Sequence, residues 1–482
     1  VCGFVGLVGV EPVAPALYLG IQAIQHRGQD AAGMGTRDRG HLSLYKNVGK
    51  VEDVFDDGKL ASLKGRSGVA HVRYPTVGSS THNDAQPFSM RRPSIVLAHN
   101  GNLVNLADLE AHLASRGLQP QSTCDAEPIL LVLGDELLRL RTVGHTIDDL
   151  VVALRQTMER LRGGYAVVAV MDLDGRETLI SFRDPHGIRP AVYGRRGDGA
   201  WAIASESVSL DVLDFQRVDD VPAGSLLVLR EGEQPVVREV SRREPHHCIF
   251  EDIYFARPDS VMDGTRVFTR RWELGTRLAD EWKKKGLSAD VVVPVPDTSR
   301  PAAQAMAERL GIPHREGFIK NRYSGRTFIM PDQRTREAAM RLKLNPIDEM
   351  FRGKRVLLVD DSIVRGTTMR RIVEMIRRLE PKELHVAIFS PAVRNPCFYG
   401  IDMPSRDELV AWRVDADGGG NLEGVLASLF GADSVTFLSD EGLTAVAGSS
   451  ICAACFTGRY PVEVRDDEQS FILRDRRPDL AR

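Results

Sequence analysis

Residues 356–368 (VLLVDDSIVRGTT) bring together the residue types that hold a phosphorylated sugar. Val356, Leu357, Leu358 and Val359 make an apolar run of strand length, closed at once by the carboxylates Asp360 and Asp361. Arg365-Gly366-Thr367-Thr368 then precede a helical stretch through Met369, Ile372, Val373 and Ile376. Backbone N–H groups at a helix start, helped by threonine hydroxyls, hold a dianionic phosphate. The two acids one turn earlier are placed to accept hydrogen bonds from a sugar diol. An ordinary βα junction also carries an Asp and a Gly, but paired acids followed at fixed distance by Arg-Gly-Thr-Thr are more specific. At the other end, Cys2 stands in front of a strand candidate. A lone cysteine is commonly a buried structural residue. A terminal one has another use, because an α-amino group with a pKa near ~8 lies within reach of the thiol as a base. Cys452 and Cys455 form a CxxC pair, with Cys248 and Cys397 far upstream. Their spacing alone leaves zinc, an iron–sulfur cluster and unligated thiols open.

The elements around these residues divide the chain. With 482 residues it is too long for one ordinary core, and two domains are expected. Residues 2–240 read as β-rich with interleaved helices: strands at 2–8, 68–71, 95–99, 165–171 and 178–182, and helices at 15–25 and 127–141. The polar, proline-containing stretch 238–247 marks the boundary. Within 241–464, strands at 291–295, 356–359 and 384–389 alternate with helices at 301–310 and 369–379, which predicts a parallel sheet covered on both faces. Residues 465–482 are charged and read as a loose tail or a docking helix. The formal charge of −3, with both signs interspersed, gives no electrostatic case for nucleic acid. The longest apolar runs, such as 166–171, are far short of a membrane span. No secretion signal is read at the N-terminus, and six cysteines in so long a chain make no disulfide scaffold, so a reducing cytoplasm is the expected compartment.

The loop at 356–368 resembles the signature of type I phosphoribosyltransferases, which bind 5-phosphoribosyl-1-pyrophosphate (PRPP). Cys2-Gly3-Phe4-Val5-Gly6 is followed in order by His26-Arg27-Gly28-Gln29-Asp30, His71-Val72-Arg73-Tyr74-Pro75-Thr76, His99-Asn100-Gly101-Asn102 and Cys124-Asp125-Ala126-Glu127. Together these resemble the glutamine amidotransferase domain of the N-terminal nucleophile class, whose antiparallel sheets stack between helices. In that class Cys2 attacks the amide, Arg73 pairs with the α-carboxylate of glutamine and Asp125 with its α-ammonium. Asn100 and the N–H of Gly101 donate to the oxyanion. Locally, Arg73 also reads as a surface charge, Asn100-Gly101 as a hairpin turn and Asp125 as a helix N-cap. His26, His71 and His99 read as scaffolding.

A glutaminase followed by a PRPP-binding domain resembles one family over nearly the whole chain, the glutamine PRPP amidotransferases. Residues 253–260 (IYFARPDS), 294–299 (PVPDTS), 320–323 (KNRY) and 456–461 (FTGRYP) carry the same resemblance. The resemblance implies a pentosyl transfer in which ammonia from glutamine displaces pyrophosphate from PRPP, the opening step of purine synthesis. It places Mg²⁺ at Thr298, Asp360 and Asp361, the ribose hydroxyls at Asp360 and Asp361, the 5′-phosphate at Arg365, Gly366, Thr367 and Thr368, and Ser362 among the PRPP-binding residues. It also places Lys343 near the pyrophosphate, though a solvated basic helix face explains that stretch as well, and makes 322–333 a loop that closes over PRPP. In the cluster-bearing branch of the family the ligands of a [4Fe–4S] cluster fall at Cys248, Cys397, Cys452 and Cys455, with a structural role. Cys124 stands outside that pattern as an unligated thiol near the glutamine pocket. Family membership further implies a homotetramer inhibited by purine nucleotides. The mechanism needs a free amine on Cys2, so Val1 is expected to be removed, whether it reflects a GTG start codon or a cleaved propeptide; the mass of the mature chain tests this. Two rivals are a silent PRPP-sensing regulator, which predicts a basic DNA-binding segment, and a sugar-phosphate aminating enzyme, which would lack the Asp360 to Thr368 loop.

Overall fold

The first strand shows how the N-terminal half is layered. Along Gly3–Val8, Phe4 and Val8 point to one apolar cluster and Val5 and Leu7 to another, the two-residue period of a sheet buried on both faces. In the computed structural model, which describes residues 2–74, 81–320, 344–403, 405–418 and 420–475, this strand is central in a seven-stranded antiparallel sheet. A second sheet of six antiparallel strands includes Ser94–Leu103, Gly163–Leu173 and Arg176–Arg183. The two sheets face each other through Phe4, Val69, Val96, Val168, Leu179 and Ile203. Gly6 sets how closely they approach, since a Cβ there would lie 2.6 Å from Val168 Cγ2. Helix Val13–Ala23 covers the outer face of the first sheet. Helices Ala126–Leu140 and Ile147–Arg160 cover that of the second.

The C-terminal half holds the expected parallel sheet, in the order Val291–Pro294, Arg355–Asp360, Glu383–Ile388, Ser434–Phe437. Helices Val267–Lys283 and Arg300–Leu310 pack on one face, and Thr367–Arg377 and Leu422–Phe430 on the other. The fourth strand is four residues long and has no counterpart in the sequence reading. The helix expected at 369–379 begins two residues earlier, because Gly366 adopts a left-handed conformation (φ 77°) that turns the chain directly into it. The charged C-terminal stretch supplies a docked helix, Asp466–Asp475. Its Ile472 is buried, and its Glu468 pairs with Arg162 of the N-terminal half at 2.9 Å.

Candidate active site

Cys2 lies just ahead of Gly3–Val8, buried, with Sγ 3.5 Å from the carbonyl oxygen of Tyr74. Its nitrogen donates to Oδ1 of Asn100 at 3.3 Å. Asn100 is fully buried, and its Nδ2 has no hydrogen-bond partner among the described residues. A buried donor without a partner costs free energy unless something completes it, which suits a group held ready for a developing oxyanion. The local readings of this segment are corrected by the fold. Asn100 and Gly101 sit inside strand Ser94–Leu103, opposite Ala166 and Tyr165, and make no hairpin turn. Gly101 has φ 152°, and a Cβ on it would lie 2.1 Å from the carbonyl oxygen of Gly164. Asp125 occupies the N-cap position but caps nothing, because its backbone is already helical. Its Oδ2 instead accepts from the N–H of Leu103 at 3.0 Å, which brings its carboxylate beside the Asn100 strand.

Arg73 ends strand Ser67–Arg73 and is 3% exposed, so it is no surface charge. Its guanidinium faces the carboxylates of Asp84 and Asp125, which favour its cationic form against burial. Gly28 makes room for it, since a Cβ there would lie 2.5 Å from the carbonyl carbon of Arg73. Burial pushes His71 and His99 below the usual histidine range, which leaves both neutral at pH 7. His71 meets the carbonyl of His99 at 3.1 Å, and Nδ1 of His99 lies 3.7 Å from Asp125. Burial pushes the Cys124 thiol up to about 12, so it stays protonated beside the pocket. Sequence reasoning missed Gln86, whose Oε1 accepts from the N–H of His99 at 2.7 Å and whose Nε2 reaches Cys124.

The second pocket is a cavity of about 550 Å³ at the C-terminal end of the parallel sheet. Ligands of open α/β sheets gather at that end. Thr298, Asp360, Asp361, Ser362, Arg365, Gly366, Thr367 and Thr368 all line it. Asp360 closes its strand and Asp361 follows, with Ser362 Oγ 2.6 Å from Asp361. The hydroxyl that reaches Asp360 belongs to Ser299, at 3.1 Å, next to the Thr298 singled out in the sequence. Burial, with the neighbouring Asp361 carboxylate, pushes Asp360 well above the usual carboxylate range. Burial also lifts Asp361 to about 6, opposed by Ser362 and by the cation of Arg271. Two crowded carboxylates of this kind fit a hard divalent cation or the hydroxyls of a diol. Arg365 is paired with Glu408 at 3.0 Å. Phe250, Tyr254, Phe255, Asp297, Lys320, Ile401, Asp402 and Met403 are also part of the wall, none of them assigned there by motif alone. Lys343 and the stretch 322–333 lie outside the described residues.

The two pockets share a wall. Tyr74, whose carbonyl faces the Cys2 thiol, donates from its hydroxyl to Asp402 of the second cavity at 2.9 Å. Behind it, Gly400 packs so tightly on Gly101 that a Cβ would lie 2.9 Å from that residue's carbonyl carbon. Asn102 Nδ2 donates to the carbonyl of Phe398 at 3.0 Å.

The four cysteines of the third motif converge under this junction. Strand His247–Cys248 pairs in parallel with Ile451–Cys452, so Cys248 stands opposite Cys452. Cys455 lies one turn on, and Cys397 packs against the same apolar cluster. Burial pushes the Cys248, Cys452 and Cys455 thiols upward, the neighbouring cysteines lie within electrostatic reach of one another, and none of the four is in a disulfide. A single tetrahedral zinc requires sulfurs roughly 3.8 Å apart, from a Zn–S bond near ~2.3 Å. Among the described residues no three of these sulfurs fall within 4.8 Å of one another. Four thiols gathered in an apolar setting are a donor set that fits a [4Fe–4S] cluster.

A buried cysteine at the head of the central strand of a four-layer αββα sandwich, joined to a parallel-sheet domain with a cavity at its C-terminal end, is the architecture of a two-domain glutamine amidotransferase. Residues 71–212 match a glutamine amidotransferase domain and residues 272–396 a phosphoribosyl transferase domain. The chain belongs to the amidophosphoribosyltransferase family. It is 43% identical to the amidophosphoribosyltransferase of Pseudomonas aeruginosa, over 95% of this chain and 92% of that one. It is 40% identical to that of Methanocaldococcus jannaschii, over 96% and 98%. Its fold is similar to that of the B. subtilis glutamine PRPP amidotransferase complexed with ADP and GMP, with a TM-score of 0.84, 38% identity and coverage of 97% and 98%. No described helix is long and apolar enough to cross a membrane.

Proposed function

We propose that the chain uses glutamine to aminate PRPP, releasing glutamate and pyrophosphate and opening de novo purine synthesis. The observation that carries this is the shared wall, in which Tyr74 touches the Cys2 thiol on one side and Asp402 of the phosphoribosyl cavity on the other. The α-amine of Cys2 takes the thiol proton, and Sγ attacks the amide carbon of glutamine, held by Arg73 and Asp125. Nδ2 of Asn100 and the N–H of Gly101 stabilise the oxyanion. Collapse returns the proton to the leaving nitrogen, releases ammonia and leaves a thioester that water cleaves to glutamate. Ammonia crosses the wall by Tyr74 and attacks C1 of the ribose. The C1–O bond breaks, pyrophosphate leaves, and the product amine loses a proton. Keeping water out of that crossing matters, because ammonium is no nucleophile.

Asp360 and Asp361, with the hydroxyls of Thr298 and Ser299 nearby, would hold Mg²⁺, which when bound neutralises the departing pyrophosphate. The first turn of helix Thr367–Arg377 holds the 5′-phosphate. Cys248, Cys397, Cys452 and Cys455 would hold a [4Fe–4S] cluster that ties the C-terminal segment to the domain junction without entering the reaction. A cytoplasmic homo-oligomer regulated by purine nucleotides completes the reading, the last of these supported by the B. subtilis relative complexed with ADP and GMP. The test is pyrophosphate release from PRPP and Mg²⁺, with glutamine or with ammonium at mildly alkaline pH. Release with both is expected. Release with ammonium alone points to a blocked Cys2 amine, and release with neither refutes the enzyme.

A further inference from the structure

Gln86 stands outside every motif read along the chain, yet it is buried and bonds through both ends of its amide. Strand Phe88–Arg91 pairs with residues 94–97 of Ser94–Leu103 and goes no further, so among the described residues the rest of that edge has no strand beside it. Buried main-chain groups on such an edge need other partners. The N–H of His99 takes the side chain of Gln86, whose Oε1 accepts it at 2.7 Å. The N–H of Leu103 takes Oδ2 of Asp125 at 3.0 Å. The two-residue period of a strand turns the N–H of Gly101 to the same edge, midway between them. The main-chain donor assigned to the oxyanion is therefore flanked by two side-chain struts.

Both struts end on one short segment. Asp125 is the carboxylate assigned to the α-ammonium of glutamine, and Nε2 of Gln86 donates to Sγ of its neighbour Cys124 at 3.6 Å. Gln86 is itself held in place. A Cβ on Gly33 would lie 2.1 Å from the Gln86 carbonyl oxygen, so strand Ala31–Asp38 presses directly on its backbone. Two residues earlier, Asp84 accepts from the N–H and the hydroxyl of Thr123 at 2.8 and 2.9 Å, which fastens residues 84–86 alongside 123–125. Lys46 closes the other side, donating to the carbonyl of Asn83 at 3.3 Å and to that of Ala85. Struts at His99 and Leu103 fix both the distance and the angle between strand Ser94–Leu103 and the start of helix Ala126–Leu140.

We propose that Gln86 is a positioning residue that sets the length of side chain the Cys2 pocket accepts. An amino acid bound there spans from Asp125, at its α-ammonium, to Asn100 and Gly101, at its amide oxygen, and Gln86 holds the residue before Asp125 and the residue before Asn100. With that span fixed, glutamine brings its amide carbon to Sγ of Cys2, and asparagine, one methylene shorter, falls short. This rests on the reading of Cys2, Asn100 and Asp125 as a glutamine site. One methylene is discriminated by about 10–200-fold in a pocket that keeps its shape, and a span free to relax forfeits part of that.

The test compares two diazoketones, the analogues of glutamine and of asparagine, as alkylating agents for Cys2 in the whole enzyme, with iodoacetamide reading the bare thiol. The native enzyme is expected to favour the longer diazoketone by at least about ten-fold. Gln86→Met keeps the length of the side chain and loses both bonds. Its ratio is expected to fall toward one while the iodoacetamide rate holds. Cys124→Ala removes only the far bond and is expected to lower the ratio by less, which decides the matter if the first variant does not fold. A native ratio in the folded variants overturns the proposal. A parallel fall with all three reagents makes Gln86 scaffold and overturns it as well. Native enzyme that reacts with iodoacetamide but with neither diazoketone overturns the glutamine-site reading beneath, whereas equal native rates with the two diazoketones overturn the length selection alone.

Discussion

Replacing Asn100 by alanine removes Nδ2, the atom proposed to act only in the transition state, together with Cγ and Oδ1. Nδ2 has no partner among the described residues, so its deletion takes no hydrogen bond from the resting enzyme at that atom. Loss of one oxyanion donor costs about 10²–10³ in rate, or about 2.7–4 kcal/mol. Oδ1 gives up only its 3.3 Å contact with the Cys2 nitrogen, which amounts to about 0.5–1 kcal/mol of folding free energy. Arg73 and Asp125, proposed to hold the two ends of glutamine, lie on other elements and stay in place. The expected pattern is therefore a fall of about 10²–10³ in both kcat and kcat/KM for glutamine, with KM nearly unchanged, the signature of an interaction made only in the transition state. Ammonium-dependent pyrophosphate release, which bypasses Cys2, should match the native rate. The assay is glutamate and pyrophosphate formation on one preparation with each nitrogen source. A glutamine-dependent kcat within about five-fold of native, alongside an intact ammonium reaction, would refute the role given to Asn100.

Gly28→Ala should force the Arg73 backbone aside, since the new Cβ would lie 2.5 Å from its carbonyl carbon; a rise in KM for glutamine and a stability loss of about 1–3 kcal/mol are expected by steady-state kinetics and thermal melting. Gly366→Ala meets a φ of 77° and a contact of 3.0 Å with Phe430, and the strain of about 1–2 kcal/mol should weaken PRPP binding equally in the glutamine and ammonium reactions. PRPP affinity in Mg²⁺ should fall as pH drops through about 6, where Asp361 takes up a proton, and level off above that range. The folded apo-protein binds that proton more tightly than the unfolded chain does, so this group's contribution to stability declines as pH rises from about 4 to about 6; titration calorimetry over pH 5–8 and denaturant melts read the two effects. Anaerobic protein should carry iron and sulfide in equal amounts and absorb in the visible, and Cys455→Ser should abolish the absorbance while zinc fails to restore it.

The pieces of chemistry carried by consecutive residues could be read along the chain. Asp360 to Thr368 needs only a strand, a left-handed glycine and a helix start in succession, and local sterics and hydrogen bonding supply them. The four cysteines and Cys2 stood out by type and context in the same way. The hairpin reading of Asn100-Gly101 and the cap reading of Asp125 went astray for a matching reason. Both are sound local conformations, overruled by the pairing of strand Ser94–Leu103 with Gly163–Leu173 and by the N–H of Leu103 drawing Asp125 inward.

What no stretch of sequence contains is the meeting of distant parts. Ser299 on Asp360, Tyr74 on Asp402, Gly400 against Gly101 and Arg27 between Cys2 and Glu251 join residues 25 to 328 positions apart. The apolar periods that build each sheet and helix are local, whereas these contacts follow from which faces the layers bury against each other. Burial also sets the charge states, raising Asp361 and holding His71 and His99 neutral, because a pKa answers to the dielectric and charges of a completed tertiary environment and not to a residue's neighbours in the chain.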